Sequence, residues 1–358
     1  MEVSMFHSSK KWVFSFLAML VIMLFVLGAL TIVVDPFFHY HKPIESLAYP
    51  IDNERYQNDG ILKHFEYDAI ITGTSMCENF KTSEFDELFH VHSVKTPFSG
   101  STYKEINDNL AVAIAHNDNI KVILRGLDYN LLMEPADAMK YDLNTYPWYL
   151  YDEIPFNDAP YIFNKTVLFE NTCGVITRTC SGGETTDFDT YMNWMSNNAF
   201  GKEVIEQKYK QPEKVSASVE ITDQNYAVIR ETLNQNVFEL AEANPQIEFY
   251  LFFPPYSIYW WDRQYRNGTL NRQLDAEKYA IELILQYDNI HLFSFFTEYD
   301  MVCNAAIYKD TTHYNEDINS QILIWMSNGT HELTVDNYEA YCAQMREFYT
   351  NYDYDSIM

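Results

Sequence analysis

Residues 67–75 read YDAIITGTS, a short β-branched run that ends abruptly in small residues. Runs rich in Ile and Thr favour strands, and Gly73 directly before Thr74 is typical of a sharp turn. A serine on a strand-to-helix turn projects its hydroxyl above the end of the strand, which is where Ser75 stands. The stretch therefore predicts a first sheet strand with a candidate chemical group at its carboxyl end.

Strand-like runs alternate with helical stretches downstream of this segment. Further strands are predicted at residues 90–96, 120–128, 247–257 and 289–296, and helices at residues 78–89, 101–117, 222–245 and 275–287. Such alternation implies right-handed crossovers and a parallel sheet with helices on both faces. We therefore expect an α/β domain over residues 67–330, with a doubly wound, mostly parallel sheet of five strands.

Residues of roughly 135–215 do not follow the alternation and are rich in Tyr, Asn, Asp and Thr. So long a connection is unusual inside a compact domain and is more often a functional cap than a simple loop. Ligands of open parallel sheets bind beyond the carboxyl ends of the strands. We therefore predict that these residues form an insertion that covers the strand ends.

The N-terminal region contains an uncharged apolar run at residues 12–34. At about 1.5 Å per residue this run is long enough to cross a hydrocarbon core of about 30 Å. Lys10 and Lys11 precede it and Asp35 follows it, so the positive-inside rule places residues 1–11 in the cytoplasm. We predict a single-pass helix in the cell membrane with the main domain outside the cytoplasm. A cleaved signal peptide is the less favoured alternative, because its apolar run is usually shorter.

Two segments flank the predicted domain. Residues 35–66 begin with an aromatic and proline-rich stretch and are predicted to form a juxtamembrane tether, whereas residues 331–358 are predicted to be helical. Asp35, His39 and His41 form a small cluster of metal-ligand types, but aromatic residues beside a membrane are common and no metal is expected.

The charge balance limits the classes of partner that the protein can bind. With 24 Lys and Arg against 51 Asp and Glu, the formal net charge is −27. Nucleic-acid binding needs a basic surface, so no nucleic-acid partner is expected. The 47% hydrophobic content excludes a disordered chain. An acidic body also favours a neutral or cationic polymer over a polyanion.

The five cysteines leave two interpretations open. Cys173 and Cys180 are close enough in sequence to pair in an oxidising compartment, and Cys303 and Cys342 form a second candidate pair. In the other interpretation all five are ordinary small buried residues.

Asp310 and His313 stand three residues apart just before a predicted helix. A general-base histidine must be oriented and its cation stabilised, and a nearby aspartate does both. Each residue also has a structural interpretation: Asp310 as a helix cap, His313 as an exposed side chain, and Ser75 as a cap of the next helix.

Taken together, Gly73-Thr74-Ser75 and Asp310-Thr311-Thr312-His313 resemble the two motifs of the SGNH/GDSL family of serine hydrolases and acyltransferases. The resemblance covers roughly residues 67–328 by element order. It implies a flavodoxin-like three-layer α/β/α fold, with Ser75 as nucleophile, His313 as general base and Asp310 as its orienting partner. It implies no cofactor.

The resemblance also implies an oxyanion hole built from the Ser75 amide, a glycine after the second strand and an asparagine after the third. Gly100 stands at the place of the glycine. The third strand is followed by Asp128-Tyr129-Asn130 and lacks the usual G-x-N-D. Arg125 or Asn130 is therefore the expected third donor, although Arg125 could equally pair with Asp128.

With its membrane helix, the chain is similar to envelope proteins of bacteria of the DltD-like and alginate-acetylation-like types. This similarity implies an esterase or O-acyltransferase acting on an envelope carbohydrate or polymer, beside a multi-spanning membrane O-acyltransferase. The alternative is a non-catalytic binding or assembly protein that keeps the fold.

Two further features have open interpretations. Several aromatic residues either stack on sugar rings or fill the core: Trp148, Tyr149, Tyr256, Tyr259, Trp260 and Trp261. Cys77 is a weak rival nucleophile, because it lies beyond Ser75 in the turn and is expected to point elsewhere.

Overall fold

The structure, a computed structural model, describes residues 2–142 and 145–357, with side chains from residue 10 onwards. The chain divides into two compact units. The first comprises residues 1–65 and 146–187, and the second comprises residues 66–145 and 188–358. The predicted insertion is therefore divided: most of its first part packs with the N-terminal segment, and residues 188–215 belong to the unit that contains the sheet.

The strands are β1 Ala69–Thr72, β2 Ser93–Lys95, β3 Val122–Gly126, β4 Glu248–Phe253, β5 Ile290–Ser294 and β6 Glu332–Leu333. The α-helices are α1 Glu2–Val34, α2 Glu54–His64, α3 Thr82–Phe89, α4 Tyr103–His116, α5 Ala159–Ile162, α6 Cys173–Cys180, α7 Lys202–Lys208, α8 Asp223–Leu233, α9 Glu239–Ala243, α10 Ile258–Arg266, α11 Leu270–Ile284, α12 Tyr299–Val302, α13 Glu316–Ser327 and α14 Tyr338–Asn351. A π-helical segment, Asn234–Phe238, joins α8 to α9, and a second one, Val167–Thr172, precedes α6.

The second unit is a mixed α/β structure built on one sheet in the order β2-β1-β3-β4-β5-β6. The first five strands in this order run parallel, and β6 pairs with β5 antiparallel. The prediction of a five-stranded sheet is therefore wrong by one strand. The sixth has only the residues Glu332 and Leu333, too few to show an alternating pattern within a segment predicted to be helical.

The sheet is the centre of the core of this unit. All residues of β1 are buried, and Leu251, Phe252 and Phe253 of β4 are fully buried. Helix α3 packs against α13, whereas α11 packs against both α8 and α14. Continuous apolar strands of this kind need helices on both faces, which explains why they do not alternate with polar residues.

The first unit contains one helix that is long and apolar enough to cross a membrane, over Lys10–Val34 of α1. A signal sequence has the same character near an N-terminus, and α1 begins before the predicted residue 12. The helix ends at Val34, and the next residue, Asp35, has a φ of 46°. The Asp35 carboxylate accepts hydrogen bonds from the backbone amides of His39, Tyr40 and His41, so it holds the chain in a tight turn after the helix.

The segment predicted as a tether, residues 35–66, contains the helix α2 and packs into a small core. Phe37 from this segment clusters with Leu150, Tyr161 and Val167. Helix α2 escapes sequence analysis because it buries polar groups, so its apolar periodicity is weak.

All five cysteines are free thiols. Cys173 and Cys180 are the first and last residues of α6, which separates their Cα atoms by about 10 Å at 1.5 Å per residue. A disulfide needs Cα atoms less than about 7 Å apart, so this helix excludes the first candidate pair.

A buried carboxyl group makes the stability of the second unit depend on pH. Glu277 is 1% exposed and accepts hydrogen bonds from the hydroxyls of Tyr129, Ser294 and Tyr341. Burial raises the pKa of Glu277 to about 7 from 4.5, although the hydroxyl groups partly oppose the shift. Above pH 4.5 the unfolded chain loses this proton while the folded chain keeps it, so stability falls as pH rises to about 7.

We therefore expect Glu277→Gln to remove a pH-dependent loss of about 3 kcal/mol in the free energy of unfolding between about pH 4.5 and 7. Urea unfolding of both proteins at several pH values measures it. A wild-type protein whose stability does not fall relative to the variant across this range would contradict the prediction.

Candidate active site

Ser75 lies on a strained turn directly after β1. Gly73 has a φ of 146°, and a Cβ atom there would lie 2.5 Å from the Sγ of Cys77, so only glycine fits. Ser75 opens a single 3₁₀ turn, Ser75–Cys77, and the Thr74 hydroxyl caps this turn by accepting from the Met76 amide at 3.3 Å. The turn leaves Ser75 half-buried at the carboxyl end of the sheet.

The structure brings Ser75, His313 and Asp310 together. The Ser75 Oγ lies 2.7 Å from the His313 Nε2. On the other side of the ring, the His313 Nδ1 lies 2.9 Å and 3.0 Å from the two carboxylate oxygens of Asp310. A hydroxyl, an imidazole and a carboxylate in this order can move a proton from the hydroxyl to the ring.

The loop between α12 and α13 holds His313 in place. The His313 and Thr312 amides both donate to the Asp310 Oδ1 at 2.9 Å, and the Lys309 amide donates to the His313 carbonyl. From α13, the Asn319 side chain donates to the Met76 carbonyl at 3.1 Å. The turn that carries Ser75 is therefore bound directly to the helix that follows His313.

Asp310 is held in its ionised form. Burial favours the neutral carboxyl, but the hydrogen bond from the His313 ring and those from the His313 and Thr312 amides outweigh it and hold the pKa of Asp310 well below its usual range. A carboxylate that stays ionised fixes the Nδ1 proton of the ring and leaves Nε2 free to accept from Ser75.

A pocket of about 180 Å³ opens beside the Ser75 hydroxyl. It is lined by Thr74, Ser75, Met76, Gly100, Ser101, Asp128, Asn130, Leu131, Tyr256, Thr312 and His313. Gly100 has a φ of 59° and lies in the loop after β2, as the sequence predicts. Within residues 2–142 and 145–357, no partner accepts a hydrogen bond from the Ser75 or Gly100 amide. Both amides can therefore donate to a bound oxygen.

Of the two predicted third donors, only Asn130 lines the pocket. Its side-chain nitrogen lies 3.4 Å from the Tyr256 hydroxyl, and its oxygen accepts from the Trp260 indole at 3.0 Å. Arg125 does not line it: its guanidinium donates to the carbonyls of Asn236 and Tyr103. Arg125 is the fourth residue of β3, where its side chain reaches the helices that cover the sheet. It also makes no ion pair with Asp128.

Two hydroxyl groups and a carboxyl group in the pocket make contacts that the sequence does not predict. The Asp128 carboxyl accepts from the Thr74 hydroxyl and from the Tyr256 hydroxyl, each at 2.5 Å. The position of Asp128 just after β3 is the one sequence signal that it lies near the site. The sequence gives no sign that the hydroxyls of Thr74 and Tyr256 bind its carboxyl group.

Trp194, from the predicted insertion, lies against the catalytic candidates. Its ring meets the His313 ring edge to face at 5.7 Å, and its indole nitrogen donates to the Ser75 carbonyl at 3.4 Å. The Lys309 ammonium lies 3.4 Å from the centre of the same ring. A lone tryptophan in an irregular segment carries no sequence signal for this contact.

We expect Trp194→Ala to lower kcat/KM for an ester substrate by about tenfold, because it removes both the ring that confines His313 and the donor to the Ser75 carbonyl. Trp194→Phe keeps a ring and should lose less. Steady-state kinetics on both folded variants measures the difference. Equal activity of Trp194→Ala and wild type would show that this contact does not position His313.

Four of the aromatic candidates for sugar stacking are buried: Tyr256, Tyr259, Trp260 and Trp261. Their rings pack in the core and do not form a stacking platform, although Tyr256 also lines the pocket, whereas Trp148 is 39% exposed. Cys77 is fully buried behind the turn, and burial raises the pKa of its thiol far above the usual range. The thiol therefore has no access to the pocket and no thiolate character.

Comparison with known proteins gives little beyond this geometry. No protein-family model matches the chain, and no curated protein matches it. A solved structure from Streptococcus pneumoniae, described provisionally as a platelet activating factor, is similar at a TM-score of 0.38 and 12% identity. The match covers 77% of this chain and 89% of the other. Likeness at this level carries no argument about function.

Proposed function

We propose that this protein is a membrane-anchored serine esterase or O-acyltransferase of the SGNH/GDSL type. The observation that carries the proposal is the continuous contact from Ser75 Oγ through the His313 ring to the Asp310 carboxylate. His313 takes the proton of Ser75 as Ser75 attacks an ester carbonyl. The alcohol leaves with that proton, and an acyl-serine remains.

The acyl-serine is then resolved by a second hydroxyl. Water as acceptor releases a carboxylic acid, and a sugar hydroxyl gives a new ester. In both cases His313 removes the proton of the acceptor and returns it to Ser75. The amides of Ser75 and Gly100 are the donors for the tetrahedral oxyanion in each step. The 180 Å³ pocket suits a short acyl group.

The strand order supports the family assignment. The order β2-β1-β3-β4-β5 is that of flavodoxin-like doubly wound sheets, in which ligands bind beyond the carboxyl ends of the strands. The two helix groupings, α3 with α13 and α11 with α8 and α14, fit a three-layer α/β/α arrangement. Ser75, Gly100 and Asn130 follow three neighbouring strands of such a sheet.

The helix α1 is the basis for a proposal about where the protein is located in the cell. We infer that it anchors the chain in the cell membrane of a bacterium, with the two lysines before it in the cytoplasm and the catalytic unit outside. The substrate would then be an acyl ester of an envelope carbohydrate or polymer. A multi-spanning O-acyltransferase is the partner that would supply or receive the acyl group.

A non-catalytic binding or assembly role remains the second candidate. The observation that favours it is the Asp128 carboxyl group in the pocket, because a negative charge there would oppose an oxyanion. A protein of this kind would keep the pocket and its ligand without forming an acyl-serine.

Labelling with a fluorophosphonate probe distinguishes the two functions. The full-length protein in detergent should be labelled, and Ser75→Ala should not be. Ser101→Ala is the matched control, since Ser101 lines the same pocket and its hydroxyl has no hydrogen-bond partner within residues 2–142 and 145–357. Undiminished labelling of Ser75→Ala, or no labelling of the folded wild type, would reject the serine mechanism.

A further inference from the structure

Asp128 occupies an unusual place for a carboxyl group. It is 7% exposed, follows β3 and lines the pocket that also contains Ser75 and His313. Its two oxygens accept from the hydroxyls of Thr74 and Tyr256. Its backbone carbonyl accepts from the Tyr103 hydroxyl, so the residue is fixed from three directions.

Within residues 2–142 and 145–357, no Lys or Arg compensates this carboxyl group, and the charge that favours its ionised form is that of the His313 ring. Arg125, three residues earlier, uses its guanidinium on the carbonyls of Asn236 and Tyr103. A buried carboxylate without a cation is costly, and proteins relieve that cost by keeping the group protonated.

An ionised Asp128 would also oppose the chemistry. A like charge at about 5 Å, with an effective dielectric constant of about 20, disfavours a developing oxyanion by on the order of 100-fold. The same pocket must hold that oxyanion next to Ser75. A neutral carboxylic acid in this place carries no charge and can donate a hydrogen bond.

We propose that Asp128 is a catalytic residue of the oxyanion pocket that works as a neutral carboxylic acid, so that its ionisation switches the enzyme off. This inference rests on the proposed serine mechanism. One oxygen of the neutral group keeps the hydrogen bond from Thr74. The other carries the proton and donates it either to the substrate oxyanion or to the Tyr256 oxygen, which frees the Tyr256 hydrogen for the oxyanion.

The neighbours of Asp128 leave few other groups to titrate. Burial holds the pKa values of Tyr103, Tyr256 and Tyr314 well above their usual value and that of the Cys77 thiol likewise, so these stay neutral. His313 lines the same pocket, and its ring faces the ionised Asp310. Burial also raises the pKa of Asp128, against the hydrogen bonds from Thr74 and Tyr256 and the charge of His313.

The expected pH profile follows from Asp128. The value of kcat/KM should fall by about tenfold per pH unit as Asp128 ionises, until a plateau on the order of 100-fold lower is reached. The neutral form of Asp128 is the active one, so this fall lies on the alkaline side of the profile.

Asp128→Asn and Asp128→Ala test the proposal. Asparagine carries one donor and one acceptor group, as the neutral acid does, but it cannot ionise. The Asn variant should keep at least about a tenth of the maximal kcat/KM of the wild type, and its kcat/KM should not fall at alkaline pH. At every pH, the kcat/KM of the Ala variant should be about 100-fold below the wild-type maximum. Rates are corrected for Ser75→Ala measured at the same pH.

A merely structural role would give a different result. Asp128→Asn would then lose activity equally at all pH values, or the alkaline fall would persist in it, and either result would overturn the proposal. Melting curves of both variants confirm that the compared proteins are folded. Failure of the serine mechanism is distinguishable, because then Ser75→Ala itself would keep its activity.

Discussion

Replacing Ser75 by alanine is expected to lower kcat for ester cleavage by about 10⁴-fold or more. The Ser75 Oγ is the atom that His313 Nε2 contacts at 2.7 Å, and alanine removes it while leaving the turn intact. The residual rate over water comes from the amides and the pocket. The measurement is hydrolysis of a short acyl ester by the full-length protein in detergent.

The control for this variant is Ser101→Ala, which removes another hydroxyl from the same pocket. It should keep most of its activity, because Ser101 makes no described contact with His313. A Ser75→Ala protein that retained more than about a tenth of wild-type activity would show that another group attacks the ester.

Asp310→Asn is expected to have the second largest effect, a loss of about 10³–10⁴-fold in kcat. The carboxylate accepts from the His313 ring and from two backbone amides. An asparagine amide places a donor against one of these donors and favours the wrong tautomer of the ring. Because the pKa of Asp310 lies well below its usual range, the wild type keeps this carboxylate across the neutral pH range in which the two proteins are compared.

The matched control is Asp317→Asn, in the first turn of α13, where the exposed carboxylate accepts from the Asn315 side chain. It should leave kcat within about twofold, as is usual for an exposed polar contact. The double variant Ser75→Ala with Asp310→Asn should be no slower than Ser75→Ala alone, since the two residues act as one unit. Additive losses would mean that Asp310 acts independently of Ser75.

The parts of the fold that could be predicted from sequence are those with strong local patterns. The strands β1, β3 and β4 are β-branched or aromatic runs, and α4 has apolar residues at helical spacing. The sixth strand is not predicted because Glu332 and Leu333 form a strand by pairing with β5, which is distant in sequence. Helix α2 was missed because its buried face is polar, with Gln57 bonded to backbone groups.

The residues of the candidate site also differ in whether the sequence predicts them. Ser75, Asp310 and His313 could be proposed because each stands where a strand ends or a helix begins, in short motifs. Arg125 is a reasonable donor by residue type, but its side chain donates to two backbone carbonyls outside the pocket. Asp128, Thr74 and Tyr256 come from three separate segments, and Trp194 comes from an irregular one. Their contacts depend on tertiary packing, which one sequence does not encode locally.

The trapped acyl-enzyme tests the central claim most directly. The full-length protein is mixed with a short acyl ester, quenched in acid within seconds and digested, and the peptide that contains Ser75 is examined by mass spectrometry. We expect one acyl group on Ser75 in the wild type, far less in His313→Ala, because that variant lacks the base for the attack, and none in Ser75→Ala. An unmodified Ser75 peptide during active turnover, or an acyl group on another residue, would contradict the account.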